Sequence, residues 1–235
     1  MYHKHFNKID STQKFLLAHL KELKKEHELI LITADHQTSG IGRKGNQWDT
    51  FSNSIAMSFI LSPHPTPTMS PLEIGILIAD FFNLKFNKKI ELKWPNDLMA
   101  NRLKCGGVLA QLIDPSTIVV GVGINLSHSK NEAPSTHYKH GLGYLFNYSD
   151  EQKDSTELIA KELYQYILNH RLNPAQTINK FNQLCAHLNA IVEVDDDQTL
   201  VKGKFIGIGE YGEALVSTEE KVFKLLSSSL RIISD

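Results

Sequence analysis

Residues 90–127 read IELKWPNDLMANRLKCGGVLAQLIDPSTIVVGVGINLS. Three runs rich in aliphatic residues, IELKWPN, VLAQLI and IVVGVGINLS, predict strands, and Pro95 and the Gly106–Gly107 pair predict where their ladder is interrupted. Working outward, LILIT (29–33) and SIAMSFIL (54–61) read as further strands. Phe15, Leu16, Leu20 and Leu23 recur at helical spacing behind Ser11 or Thr12, either of which can cap a helix. After the break PHPTPTMSP (63–71), residues 71–86 are apolar nearly all round and predict a buried helix. Asp154 and Glu157 form a capping-box pattern ahead of Leu158, Leu163 and Ile167, and Asn173–Pro174 opens a further helix carrying Ile178, Phe181 and Leu188. The expected fold is α+β, a mixed β-sheet with helices on one face.

From Ala190 the chain changes to short runs, IVEV, LVKGKFIGIG, ALVST and KVFKLL, separated by DDDQ, EYGE and TEEK turns. These predict a small β-barrel of about 45 residues and a boundary near residue 188, giving domains 1–187 and 188–235.

The 235 residues, 41% hydrophobic and 22% charged, can form a sizeable core, which argues against a disordered or membrane-embedded chain. Twenty-five Lys plus Arg against 26 Asp plus Glu leave a net charge of -1 and no field for unspecific binding to a polyanion. No apolar run approaches the roughly 20 residues of a membrane span. The start MYHKHFNKIDSTQ lacks the order of a secretory signal, and two cysteines, Cys105 and Cys185, suit a reducing, cytoplasmic compartment.

Between the second and third strands, ADHQTSGIGRKGNQWDTFSN (34–53) has no periodicity and reads as a long loop, the first place to look for a site. Gly40 to Gly45 fit GxGxxG, but no strand-to-helix junction surrounds them and no carboxylate follows about 20 residues on, so a dinucleotide fingerprint is rejected. What remains is a Gly-rich basic loop whose amides, Arg43 and Lys44 can wrap a phosphate or carboxylate. By itself it reads equally as a solvated surface loop. KWPND (93–97) then presents a Trp, a rigid Pro, an amide and a carboxylate in succession, either a cluster of ligand contacts or a tight turn with an Asn-Asp cap. Lys104 follows, ahead of two glycines that admit a ligand to the backbone, although a lone lysine is ordinarily just solvated.

In combination, QTSGIGRKGNQW, KWPND, the spaced Lys104 with Gly107, and VVGVGINLS resemble the biotin protein ligase family in identity, order and spacing. The resemblance implies a class II synthetase-like sheet flanked by helices with an SH3-like C-terminal β-barrel. It also implies an ATP-dependent, AMP-forming reaction: biotin is activated as biotinyl-5'-AMP and passed to a lysine of a biotin carboxyl carrier protein. By the same resemblance Ser11, Thr12 and Gln37 hydrogen-bond the biotin ring system, and Gly40, Gly42 and Arg43 close over biotin and the adenylate. Trp48 takes the adenine side, and Lys104 meets the biotin carboxylate and phosphate, with Gly107 and Asn125 lining the site. Gln13, Lys93, Asn96 and Asp97 complete the biotin and ATP set, and Lys104 and Arg43 are the catalytic candidates. Mg²⁺ is expected to travel mainly on the ATP phosphates, with no ligands assigned.

One departure stands out. The family loop usually reads GRGRRG, and Ile41 occupies the first Arg position here. The chain begins directly before the first helix, without the winged helix some relatives place on operator DNA, so no repressor role is expected. Either a monomer or a homodimer fits.

Three weaker signals remain. His137 and His140 lack the companions of a zinc site, Cys185 reads as a small core hydrophobe in an amphipathic helix, and Cys105 adjoins Lys104. The alternatives are a lipoate ligase or octanoyltransferase, for which Cys105 is the sole candidate nucleophile, and a biotin-binding module without transfer, motivated by Ile41.

Overall fold

The computed structural model describes residues 1–49, 51, 53–127, 142–147, 154–195, 200–226 and 229–234. His137 and His140 lie outside the described residues. Contrary to the sequence reading, a strand precedes the first helix: β1 (Tyr2–Ile9) pairs in parallel with β2 (Ile30–Gln37). Only Tyr2 and Phe6 of its α1 face pack on the core, with Lys4 between them and His3, His5 and Asn7 on the other face, so the strand lacks the alternation that would announce it. His3 and His5 both bond the Thr33 hydroxyl across the pairing.

Helix α1 (Thr12–Glu26) joins the two strands, with the Ser11 side chain accepting from the Lys14 amide at its start. It buries Leu16 and Leu20 against Ile30, Ile32, Ile60 and Val119. The stretch expected to be one long loop contains the end of β2 and a small hairpin, β3 (Gly40–Ile41) with β4 (Gln47–Trp48). Glycines and cations disguise that hairpin. Then come β5 (Asn53–Leu61) and α2 (Ser70–Phe86), the expected buried helix. Strands β6 (Glu91–Lys93), β7 (Asp97–Ala100), β8 (Leu103–Asp114) and β9 (Thr117–Ser127) follow.

Seven strands form one mixed sheet in the order β1-β2-β5-β9-β8-β7-β6. Gly106 and Gly107 do not end it: both are paired inside β8, although the pairing with β7 shifts register directly before Gly106, where Cys105 is the extra residue between the Leu98–Gly106 and Met99–Lys104 pairs. A Cβ on Gly106 would lie 2.7 Å from the Gly123 carbonyl, so close approach of backbones explains that glycine.

Two helices after β9 pack with α2. For α3 (Thr156–Asn169) the cap is Ser155, not Asp154, because the Ser155 hydroxyl accepts from the Leu158 amide while Asp154 pairs with Lys85 at 2.8 Å. Helix α4 (Pro174–Leu184) starts at the expected Asn173, whose side chain forms a capping box with Gln176. It stops before Leu188, and Cys185 lies just beyond its end, half-buried, in a bridge to Leu92.

The main sheet is covered on both faces, not one. Leu31, Met57, Phe59, Val120 and Val122 alternate away from α1 into a core with α2 and α3. That core continues into a second, antiparallel sheet of β10 (Ile191–Asp195), β11 (Leu200–Ile208), β12 (Ala214–Ser217), β13 (Val222–Leu225) and β14 (Ser229–Ser234), in the order β13-β12-β11-β10-β14. Register shifts in β10 and β11 bend it, but β13 and β14 do not pair among the described residues, so the expected barrel is not closed. The Trp94 indole, 1% exposed, donates to the Gly212 carbonyl at 3.0 Å and ties the two sheets together. Among the described residues no helix is long and apolar enough to cross a membrane.

Candidate active site

Strand β9 explains where the site lies. In VVGVGIN, residues Val120, Val122 and Ile124 face the α2 core, leaving Val119, Gly121 and Gly123 on the α1 face. Val119 is covered by α1. A Cβ on Gly121 would lie 2.7 Å from Gln13 Oε1, and one on Gly123 would lie 2.4 Å from Trp48 Cε2. The two glycines therefore let α1 and the β3–β4 hairpin descend onto the sheet, and the space between them is a cavity of about 700 Å³.

One end of the cavity is neutral and polar. Thr12, in the first turn of α1, donates its amide to Gln37 Oε1 at 2.8 Å, and its hydroxyl lies 2.9 Å from Ser58 Oγ. Ser11, Thr12 and Gln37 all line the cavity there. The other end is cationic: Arg43, Lys44, Lys93 and Lys104 face it with Asp97 as the one carboxylate among its lining residues. Lys104 Nζ is 2.6 Å from Asp97 Oδ1 and 5.8 Å from the centre of the Trp48 ring. Arg43 donates to Asn96 Oδ1 at 3.4 Å, while Asn96 Nδ2 donates to the Val108 carbonyl at 2.8 Å, which fixes the amide.

Burial lowers the Arg43 pKa from its ordinary value, with Asp97 opposing. For Lys93 burial again lowers it, helped by Lys104 and opposed by Asp97. Both cations are thus partly desolvated, and an anionic ligand brought between them would be held by charge-assisted bonds. The cavity thus combines a neutral hydrogen-bonding end, an aromatic ring and a cation cluster suited to a carboxylate beside a phosphate.

Gly42, Trp48, Asn96 and Gly107 also line the cavity, whereas three expected residues do not. Gln13 sits one layer below, its Nε2 donating to Gln111 Oε1 at 3.0 Å. Gly40 serves the hairpin, because a Cβ there would lie 2.5 Å from the Trp48 carbonyl. Asn125 is fully buried and bonds the Gly143 carbonyl at 3.4 Å, anchoring the segment beside β9. Sequence reading passed over Asn46, Gln47, Met57, Gly121 and Gly123, all of which line the cavity. The alternating glycines of β9 were the available signal. Cys105 points the other way along β8, fully buried in the α2 core, its thiol against the Leu98 carbonyl at 3.4 Å and pushed up to about 12 by burial.

Residues 5–126, which carry α1, the hairpin, KWPND and Lys104, match the family described as the biotin/lipoate A/B protein ligases. The chain belongs to that family. It is 33% identical over 132 residues to the bifunctional ligase/repressor BirA of Escherichia coli (strain K12), a match that covers 53% of this chain and 40% of that protein. It is 26% identical over 239 residues to BirA of Bacillus spizizenii, covering 95% of this chain and 72% of the relative. The structure of biotin protein ligase from Aquifex aeolicus in complex with biotin and ATP superposes with a TM-score of 0.77, at 26% identity, over 98% of this chain and 99% of that one. Where the ligase-family loop usually has its first Arg, Ile41 pairs with Gln47 across the hairpin and lines the cavity, half-buried.

Proposed function

We propose that this chain is an ATP-dependent biotin protein ligase that forms biotinyl-5'-AMP and transfers the biotinyl group to one lysine of a biotin carboxyl carrier protein. The observation that carries this reading is the cation cluster of Arg43, Lys93 and Lys104 around Asp97 at one end of a cavity whose other end is neutral and polar. The family match and the biotin- and ATP-bound neighbour support it. We assign the catalytic work to residues 1–187, with 188–235 as an appended C-terminal domain that contributes Leu230 to the cavity wall.

In this reading Ser11, Thr12 and Gln37 hold the biotin ring system and Trp48 the adenine side. A biotin carboxylate oxygen attacks the α-phosphorus as the bond to pyrophosphate breaks. Two anions must approach for this, and Lys104 and Arg43 neutralise them in a water-poor site, with no reorganisation at the moment of reaction. Asp97 holds the Lys104 ammonium in place until the ligand arrives. Among the described residues no group of His, Cys, Asp or Glu could hold a metal by itself. Asp97 is the one carboxylate among the described residues that line the cavity, so Mg²⁺ would come mainly on the nucleotide phosphates, where it adds charge neutralisation.

Purified protein given biotin and MgATP should show biotin-dependent pyrophosphate exchange and then label a carrier domain on one lysine. Lipoyl but not biotinyl transfer to the cognate carrier would overturn the assignment. A thioester route through Cys105 is disfavoured by its burial, so Cys105→Ser should leave transfer within about twofold of wild type, as a neutral, nearly isosteric change away from the cavity. Loss of activity with a trappable acyl adduct on Cys105 would restore the acyltransferase alternative.

Arg43→Gly should release biotinyl-AMP early and label bystander lysines, while affinity for free biotin falls less. Only the adenylate brings a phosphate onto which the guanidinium can fork. Dissociation of both ligands and off-target labelling are the measurements. Unchanged adenylate release with strict carrier specificity would remove Arg43 from this role.

A further inference from the structure

A second cavity of about 130 Å³ adjoins the first. The two share Arg43, Trp94, Pro95 and Asn96, together with part of β8, so they meet where Arg43 donates to Asn96 Oδ1. Beyond that partition the walls are apolar: Pro71, Leu72, Ala110 and Leu226 line the smaller space, with Thr68 and Gly212 beside them. Its outer side is exposed, since Leu226 is 55% accessible, and Thr68, also exposed, donates to the Tyr211 carbonyl at 2.5 Å. A largely apolar passage thus runs from the exposed Leu226 to Asn96 and Arg43, the two polar side chains it shares with the larger cavity.

We propose that this passage admits the acceptor lysine, its hydrocarbon stem lying along Leu72 and Leu226 and its amine arriving past Asn96. The inference rests on the ligase reading above. A four-carbon stem suits apolar walls of this kind. Pyrophosphate does not, because Arg43 is the one cation among the described residues that line the passage and a polyanion leaving by it would shed most of its counter-charge.

The electrostatics select the reactive form. An ammonium beside Arg43 is repelled, so it enters after losing a proton to water, and the neutral amine is the nucleophile that transfer needs. Asn96 Oδ1 can accept one of its N–H groups. On attack the nitrogen forms the amide bond, the acyl carbon–oxygen bond to AMP breaks, and AMP leaves with that electron pair. The surplus proton passes to the departing phosphate.

Leu226→Trp should fill the exposed mouth without touching the nucleotide cavity, and Leu226→Ala should leave it open. Transfer from preformed biotinyl-AMP is followed with two acceptors, a biotin carboxyl carrier domain and n-butylamine, alongside biotin-dependent pyrophosphate exchange. We expect Leu226→Trp to slow both acceptors about a hundredfold, the scale of a displaced nucleophile, with exchange kept within about twofold, and Leu226→Ala, which trims the apolar wall but leaves the mouth open, to slow them less than about tenfold. Unaltered transfer in Leu226→Trp overturns the passage. So does slowing for the carrier but not for n-butylamine, which would mark Leu226 as a docking contact, and so does an equal fall in exchange and transfer. Absence of biotin-dependent exchange in the wild-type chain is a different result, and it overturns the ligase reading itself.

Discussion

Lys104→Ala is expected to lower adenylate formation by about 30- to 1000-fold, the equivalent of about 2 to 4 kcal/mol for one preorganised charge contact to a developing phosphoryl charge. The side chain reaches the cavity from β8, is 30% exposed, and has Asp97 as its ion-pair partner at 2.6 Å. Its removal leaves Asp97 among Arg43 and Lys93, so the carboxylate keeps countercharge and the fold should be unaffected. Pyrophosphate exchange measures the effect, and circular dichroism checks folding. Near-normal exchange in a folded variant would exclude Lys104 from the chemistry.

Arg171→Ala is expected to cost about 3 to 5 kcal/mol of stability, because it strands a buried charge. Glu73 in α2 is fully buried, and its carboxylate accepts from Arg171 Nε and NH2, both at 2.8 Å, and from the Leu172 amide at 2.7 Å. Arg171 also donates to the Ser62 carbonyl at 3.0 Å, so one guanidinium ties the α3–α4 connector to the end of β5 and the start of α2. At about 2 to 4 °C per kcal/mol for a chain of this size, the midpoint should fall by roughly 6 to 20 °C in a thermal melt. Replacing both partners, Glu73→Leu with Arg171→Leu, should cost less than Arg171→Ala, since no charge is then left unpaired. A loss below about 1 kcal/mol in Arg171→Ala would show that water reaches Glu73.

Elements whose cause is local were legible in the sequence. The apolar spacing behind Ser11, the all-round apolar helix 71–86, and the Asn173–Pro174 start each depend on residues within one or two turns, and each stands where expected. Misreadings came where the cause was distant. β1 carries few apolar residues, with Lys4 between Tyr2 and Phe6, and is held by β2, some 28 residues away in its pairing. Gly106 reads locally as a break, yet it is a strand residue that gives way to the backbone of β9. Asp154 and Ser155 are both competent caps, and Lys85 on another helix drew Asp154 away.

The same division runs through the site. Residue types in GIGRKG and KWPND were enough to indicate a basic loop able to wrap a phosphate or a carboxylate, because charge and hydrogen-bonding capacity belong to the side chains themselves, whereas biotin and its adenylate came from the resemblance to the biotin protein ligases. Tertiary structure alone decided which of those groups face a common space. Along β8 the side chains alternate, so Lys104 enters the cavity and Cys105 enters the core. Along β9 the absence of two Cβ atoms lets Trp48 and Gln13 come down on the sheet, which makes Trp48 a cavity wall and leaves Gln13 beneath it. Close packing set both outcomes, through excluded volume between segments far apart in the chain, which no local window of sequence contains.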